Sequence, residues 1–124
     1  MVIHLDTSVL IDAFTGSRRS LAAIRTATAR GDSIGFSTIV LYEWLRGPRT
    51  EAETTAVTAF FDDPATFGAR EAARAAELYR RVSRARQRQA DLAIAACAIQ
   101  HGASLWTLNA TDFADVPGLS LYRV

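Results

Sequence analysis

Apolar and polar residues alternate along the chain in short blocks that predict strands and helices in turn. Residues 2–5 form an apolar run that ends at Asp6, which is typical of a buried strand. Between such runs, apolar residues recur at helical spacing, often with Ser or Thr before them and Gly or Pro after them. The predicted strands are residues 2–5, 33–36, 65–67, 105–108 and 119–124, and the predicted helices begin near residues 9, 21, 38, 51, 69 and 91.

The second half of the chain contains the longest helical patterns. Residues 69–88 have helical spacing throughout and predict one long helix. Asp91 then precedes the run Leu92–Ile99, which is apolar nearly all round and predicts a buried helix. Ser83–Ala90 contains neither glycine nor proline, so either the chain bends there without a helix breaker or the two helices run close together.

Alternating strands and helices with short connections predict an α/β fold. We expect a central parallel sheet of four to five short strands with helices on both faces, a three-layer α/β/α arrangement. The chain has 124 residues, so we expect one domain spanning 1–124. No apolar run approaches the ~20 residues that span a bilayer, and no membrane association is expected.

Composition narrows the classes of site that the chain can hold. Cys97 is the single cysteine, which excludes an internal disulfide and a multi-cysteine zinc site and favours a reducing, cytoplasmic location. We expect Cys97, Trp44 and Trp106 to be packing residues, with Tyr42 in the core or half-buried.

The basic residues are all arginines, and seven of them fall within residues 70–88, although the net charge is only +1. Arginine suits phosphate recognition because its planar fork donates paired hydrogen bonds. A solvated helix face explains the same cluster equally well. The candidate contacts to a nucleic-acid backbone in this stretch are Arg80, Arg84 and Arg88.

Four acidic residues stand where an α/β sheet usually places its chemistry, beyond the carboxyl ends of strands. Asp6 follows the first strand, and Asp112 lies in the turn after the strand near residue 106. Glu43 lies in the helix after the second strand, and Asp91 begins the buried helix. Carboxylates brought together repel one another, and Mg²⁺ or Mn²⁺ relieves that repulsion. The four acids therefore predict metal-assisted attack of water on a phosphodiester.

Each of these acids also has a purely structural explanation when it is taken alone. Asp6 and Asp91 are each placed to cap a helix, although Thr7 or Ser8 would serve instead of Asp6. Glu43 is alternatively an ordinary exposed residue of a helix. Asp112 is alternatively an ordinary turn residue without a role in metal binding. The prediction of a metal site therefore depends on the four acids together.

Four segments of the chain together resemble the PIN-domain family, most closely its VapC toxin branch. The first is hydrophobic-Asp-Thr-Ser, and the second is a Ser/Thr-capped helix with a glutamate followed by a glycine. The third is an aspartate leading an Ile-Ala-Ala helix, and the fourth is Thr-x-Asn-x-x-Asp-Phe. In this chain they are residues 3–12, 37–47, 91–96 and 107–113, in that order, with Val116–Leu119 resembling the lead into the last strand.

The resemblance implies a metal-dependent RNA-cleaving toxin that is restrained by a cognate VapB-like antitoxin and is often a homodimer. By that resemblance Asp6, Glu43, Asp91 and Asp112 form the catalytic Mg²⁺ or Mn²⁺ site. The residues implied to orient these carboxylates or waters are Thr7 or Ser8, together with Asn109. Thr107 is implied either to do the same or only to support the end of the strand.

Other functions fit the chain less well. A receiver domain needs a lysine near its acids, and the chain has none. A dehalogenase-type phosphatase needs Asp-x-Asp, whereas Ser8 stands at its second acidic position. Only the resemblance to the VapC branch favours RNA over DNA as the substrate. The main alternative is a PIN-fold module that binds RNA or protein without catalysis and is indifferent to Mg²⁺.

Overall fold

The computed structural model describes the whole chain, Met1–Val124, as a small parallel sheet covered by helices. No helix has the length and apolar character needed to cross a membrane. The strands are β1 (Val2–Leu5), β2 (Ser33–Gly35) and β3 (Ser104–Trp106), and the helices are α1 (Thr7–Phe14), α2 (Leu21–Ala29), α3 (Thr38–Arg46), α4 (Glu51–Phe60), α5 (Ala69–Arg81) and α6 (Gln89–Gln100), with 3₁₀ turns at Ala85–Arg88 and Ala110–Asp112.

The strand order is β2-β1-β3, and both pairings are parallel. His4 of the central strand lies opposite Gly35 on one side and Leu105 on the other. Because the chain leaves β1 for one neighbour and later returns to the other, the strand order reverses at β1. A crevice at the carboxyl end of β1 is therefore the position where the fold favours a site.

The expected count of four to five strands is wrong, since the sheet has three. The segments predicted as additional strands each form a single parallel bridge, Ala65 with Ser37 and Leu121 with Leu105. Pro64 precedes Ala65 and has no N–H to extend the pairing. The last segment follows Pro117-Gly118. Both are rudimentary edge strands.

Both faces of the sheet are covered, as expected. Ile3, His4 and Leu5 are all buried, and successive strand residues point to opposite faces, so protein covers both sides of β1. The expected buried helix is confirmed as α6, in which every residue from Leu92 to Ala98 is buried. This helix packs on α5 and β3 and fixes Asp91, its third residue, against the core.

The prediction of one long helix over residues 69–88 is wrong, because α5 ends at Arg81. Val82 is extended, and Arg84 adopts a left-handed conformation with φ 55°. A 3₁₀ turn over Ala85–Arg88 then leads into α6. The chain bends without a glycine or proline because Arg84 adopts the conformation that glycine usually supplies. The bend allows α5 and α6 to pack against each other.

Side-chain caps begin two of the other helices, and that of α3 lies where the sequence predicts it. The Ser37 hydroxyl accepts a hydrogen bond from the Val40 N–H at 3.3 Å at the start of α3. Thr50 and Glu53 form a reciprocal capping box at the start of α4. Cys97, Trp44 and Trp106 are buried, as expected. Tyr42 is 60% exposed, so its expected place in or near the core is wrong.

Candidate functional site

Asp6 lies at the carboxyl end of β1 and is only 5% exposed. It precedes α1, but its side chain makes no capping hydrogen bond. Its Oδ2 instead accepts hydrogen bonds from Ser8 Oγ at 2.9 Å and Thr107 Oγ1 at 2.7 Å. Two hydroxyls therefore hold the carboxylate by one oxygen, and Oδ1 is left for another partner.

The loop after β3 is tied to the same hydroxyls. The Leu108 N–H donates to Ser8 Oγ at 3.1 Å, and the Asn109 N–H donates to Thr107 Oγ1 at 3.0 Å. Hydrogen bonds to a charged group contribute about 1.5–3 kcal/mol each, so this network fixes Asp6 firmly. Ser8 and Thr107 contact the acid directly, whereas the Asn109 N–H bonds to Thr107 and not to Asp6.

Glu43 is brought to the same place by α3. Thr7 Oγ1 donates to Glu43 Oε1 at 2.5 Å, which joins α1 to α3 beside Asp6. The other carboxylate oxygen, Oε2, lies 3.4 Å from Arg46 Nη2, one helical turn further along. The Glu43 side chain is only 16% exposed, so Glu43 is not an ordinary exposed glutamate.

Asp91 is the acid that its surroundings perturb most. Burial chiefly, and then the charges of Asp6, Glu43 and Asp112, raise its pKa to about 6 against an opposing effect of Arg88. No hydrogen bond to Asp91 stabilises its charged form. It lies inside the first turn of α6, where Arg88 is the N-cap residue, so it is not the helix cap.

Three of the four predicted acids line one crevice, which we call the central cleft. Its walls come from α1, α3, α6 and the loop after β3. The lining residues are Asp6, Thr7, Ser8, Ile11, Glu43, Arg46, Gly47, Arg49, Asp91 and Asn109.

Asp112 lies in an adjoining crevice, the side cleft, which has no apolar lining. Asp91 lines both clefts and stands between them. The four acids are near enough to affect one another, but no three of them converge into a group arranged to hold a metal ion. The residues of the side cleft are Ser83, Arg84, Gln87, Arg88, Asp91, Thr111, Asp112 and Asp115.

The donor set nevertheless fits a hard divalent cation. Asp6 has a free oxygen, and Asp91 has a desolvated carboxylate with no protein donor. Mutual repulsion of carboxylates is relieved by a cation that prefers oxygen ligands and retains waters. Such an ion needs only one or two protein carboxylates in direct contact, so the spacing of these acids is compatible with it.

The three arginines expected to contact RNA have different settings. Arg88 is held in an ion pair with Asp115 at 2.6 Å, and its side chain is 17% exposed. Arg84 lines the side cleft and has no ion-pair partner. Arg80 lies away from both clefts, beside Tyr79 in an apolar groove between α5 and α6. Of the three, Arg84 is best placed for a phosphate near the acids.

Two arginines outside the predicted set lie in the central cleft. Arg46 pairs with Glu43, and Arg49 stacks over the Trp44 ring at 4.6 Å. The sequence contains one signal for the first, because Glu43 and Arg46 are three residues apart on a helix and so share a face. For Arg49 the sequence holds no comparable signal, because the turn at Gly47-Pro48 decides where it points.

Comparison with known proteins identifies the fold. The family model described as PIN domain matches residues 3–119. No curated protein sequence matches the chain significantly.

Among solved structures, the chain is similar to a chain of VapBC2 from Rickettsia felis, bound to a DNA fragment from its promoter. The two are 25% identical with a TM-score of 0.76 over 98% of each chain. A chain of a toxin–antitoxin complex from Klebsiella pneumoniae is 26% identical, with a TM-score of 0.73 over 100% of each chain. DNA-bound VapBC from Salmonella typhimurium has the same fold, with a TM-score of 0.76 and 19% identity over 98% of this chain and 97% of that one.

Proposed function

This chain belongs to the PIN-domain family, and from that premise we propose that it is a metal-dependent endoribonuclease toxin of the VapC type. One observation carries the proposal: Asp6, Glu43 and Asp91, from three separate segments, line one cleft at the carboxyl end of the central strand. We treat residues 1–124 as one PIN domain. The cytoplasmic location expected from the single cysteine remains a prediction.

The acids are proposed to hold Mg²⁺ or Mn²⁺. Asp6, Glu43 and Asp91 would bind the ion from the central cleft, and Asp112 would act from the side cleft. When bound, the cation activates water and offsets the negative charge that develops at the phosphate. Ser8 and Thr107 bond to one oxygen of Asp6 and leave the other for the ion, and Thr7 would orient Glu43.

The proposed reaction is hydrolysis of one RNA phosphodiester. A water oxygen bonds to phosphorus, the bond from phosphorus to the 3′ oxygen breaks, and that oxygen takes a proton. The products are a 5′-phosphate and a 3′-hydroxyl. Arg46, Arg49 and Arg84 border the acids, and their guanidinium groups are suited to hold the flanking phosphates.

A small antitoxin is the proposed partner, and a homodimer is the proposed assembly. The antitoxin is supported by similarity to chains from VapBC and other toxin–antitoxin complexes, and the homodimer rests only on the resemblance to the VapC branch. A toxic ribonuclease site must be restrained in its own cell, so we expect a protein that blocks the central cleft. Expression from the native locus should co-purify a VapB-like partner, and recovery of the chain alone would count against the toxin role.

Cleavage of total cellular RNA by the purified protein tests the activity. We expect discrete fragments with Mn²⁺ or Mg²⁺ and none with excess EDTA. Asp6→Asn should lower the rate by more than the roughly 100-fold that loss of an orienting group costs.

Asp12→Asn is the matched control for this experiment. Asp12 lies on α1, the helix that follows Asp6, but it accepts hydrogen bonds from Ser20 and Arg19 outside the central cleft. The Asp12→Asn variant should therefore cleave RNA at the wild-type rate. Cleavage by Asp6→Asn would refute the site assignment. RNA binding that is indifferent to metal, without cleavage, would establish the non-catalytic module instead.

A further inference from the structure

Arg88 ties three segments of the chain together at the edge of the side cleft. Its Nη1 donates to the Ser83 carbonyl at 2.9 Å and to Asp115 Oδ2 at 3.0 Å. Its Nη2 donates to Asp115 Oδ1 at 2.6 Å and to the Asp112 carbonyl at 3.0 Å. We call this arrangement of Arg88, Asp115 and the two carbonyls the arginine clasp.

The arginine clasp joins the two segments that carry the outer acids. Arg88 immediately precedes α6, and Asp91 follows it by three residues, about one helical turn. On the other side, the clasp bonds the backbone of Asp112 itself. The separation of Asp91 and Asp112 is therefore set in part by the guanidinium between their two segments.

The geometry of the clasp argues against a role for Arg88 in direct RNA contact. A two-pronged bond between guanidinium and carboxylate is the strongest form of surface ion pair. Formation of this pair raises the pKa of Arg88 and lowers that of Asp115. A phosphate would have to displace Asp115 to reach the same donors, whereas Arg84 and Arg86 nearby have no ion-pair partner.

The structure also places positive charge where the acids repel. The charges of Asp91 and Asp112 both stabilise the charged form of Arg88. Loss of the guanidinium would remove both that attraction and the hydrogen bond to the Asp112 carbonyl. The two carboxylates would then be free to separate. An ion shared between the clefts would then lose a well-placed ligand.

We propose that Arg88 is a positioning residue that, clasped by Asp115, holds Asp91 and Asp112 at the spacing a divalent cation needs. It is not an RNA contact in this scheme, which revises its role in the cluster of arginines at 70–88. The inference rests on the proposed function, since it concerns the metal site of the same nuclease.

The first test is Mn²⁺ binding without RNA, measured by calorimetry on the wild type and on Arg88→Gln. We expect the Mn²⁺ dissociation constant to rise about tenfold or more in the variant, as when a group that orients metal ligands is removed. Asp115→Asn keeps the arginine and its carbonyl bonds but loses the ion pair, and it should weaken Mn²⁺ binding in the same direction. This second variant keeps the test usable if Arg88→Gln folds poorly.

Arg86→Gln is the matched control. Arg86 lies in the same 3₁₀ turn and loses the same charge, but it forms no ion pair. The Arg86→Gln variant should bind Mn²⁺ with the wild-type affinity. In RNA cleavage at fixed Mn²⁺, we expect Arg88→Gln to lower kcat with little change in KM. A change in KM alone, with normal Mn²⁺ binding, would identify Arg88 as an RNA contact and overturn the proposal.

The outcomes separate this inference from the proposed function. A wild-type protein that neither binds Mn²⁺ nor cleaves RNA refutes both. A wild-type protein that does both, with Arg88→Gln and Asp115→Asn unchanged in Mn²⁺ affinity, refutes the clasp alone. Equal loss of affinity in Arg86→Gln would show that net charge is responsible, which also refutes the clasp.

Discussion

Among single residues, Asp91 is the carboxylic acid whose environment is least favourable for its charge. Its folded pKa is about 6 against an ordinary 3.8, chiefly because it is desolvated and then because other acids face it. The native state therefore binds a proton more tightly than the unfolded state. Its contribution to stability is fully present below pH 3.8 and is lost as the pH rises through about 6. At neutral pH the charged carboxylate destabilises the metal-free fold.

Asp91→Asn should therefore raise the stability of the metal-free protein at pH 7. We expect a gain of about 1 kcal/mol, or a few degrees in Tm, after allowing for screening by solvent. The variant should also lose any rise in Tm on adding Mn²⁺. Thermal unfolding in EDTA and in Mn²⁺ measures both effects, with the exposed Asp62→Asn as the control. A lower Tm in EDTA would contradict the repulsion described for this acid.

His4 is a second residue with an unusual setting, away from the clefts. It is 6% exposed, its Nδ1 has no hydrogen-bond partner, and its ring lies 5.5 Å from that of His101. Burial, with a smaller effect of the His101 charge, lowers its pKa from 6.5 to about 4. The unfolded state then takes up a proton at a higher pH than the native state does. Stability from this group is present above pH 6.5 and is lost as the pH falls towards 4.

His4→Phe should remove that loss, because phenylalanine keeps a buried ring and cannot be protonated. Between pH 6.5 and 4, the free energy of unfolding of the wild type should fall relative to the variant by roughly 3 kcal/mol. Urea unfolding of both proteins across this range measures the difference, in which the opposite contribution of Asp91 cancels. Parallel pH profiles would show that His4 is hydrated in the native state.

At the scale of elements, the join between α5 and α6 has an unusual backbone. Sequence periodicity predicts one helix through this region because no glycine or proline interrupts it. Packing of α5 against α6 requires a bend, and Arg84 provides it at a positive φ of 55°. A left-handed conformation costs a residue with a Cβ about 1–2 kcal/mol.

Arg84→Gly should relieve this cost and stabilise the fold by about 0.5–1 kcal/mol, since glycine adopts the same φ without strain. Arg86→Gly is the matched control, because Arg86 lies in the adjacent 3₁₀ turn without a positive φ and should be destabilised by glycine. Chemical unfolding at pH 7 compares the two variants. Equal destabilisation of both would show that the bend is not strained.

At the scale of the whole molecule, Cys97 provides a probe of global unfolding. It is fully buried in α6, and burial raises its pKa to about 11. The thiolate is the reactive form, so the native protein should react with iodoacetamide only when the core opens.

Mn²⁺ should slow this labelling by stabilising the folded state. At ten times the dissociation constant we expect labelling to be about tenfold slower. Asp6→Asn should label at the same rate with and without the ion. If Mn²⁺ raises the Tm but leaves the labelling rate unchanged, the reagent reaches Cys97 through a local opening and not through global unfolding.

Local spacing along the chain was sufficient for much of the architecture and the site. The central strand, the capped helix that carries Glu43 and the apolar helix that carries Asp91 are all readable from periodicity and caps. These signals involve neighbouring residues, so they act before the chain is folded. The same is true of Asp6, because its place directly after a strand follows from the run before it.

Only the tertiary structure decided how these parts meet. Arg88 pairs with Asp115, Asp112 falls in the side cleft and Arg49 enters the central cleft. The third and fifth predicted strands are reduced to single bridges. Each of these outcomes depends on distances between segments far apart in sequence. Such distances are set by how helices pack around the sheet and by which charges then face each other, and no local pattern of residues encodes them.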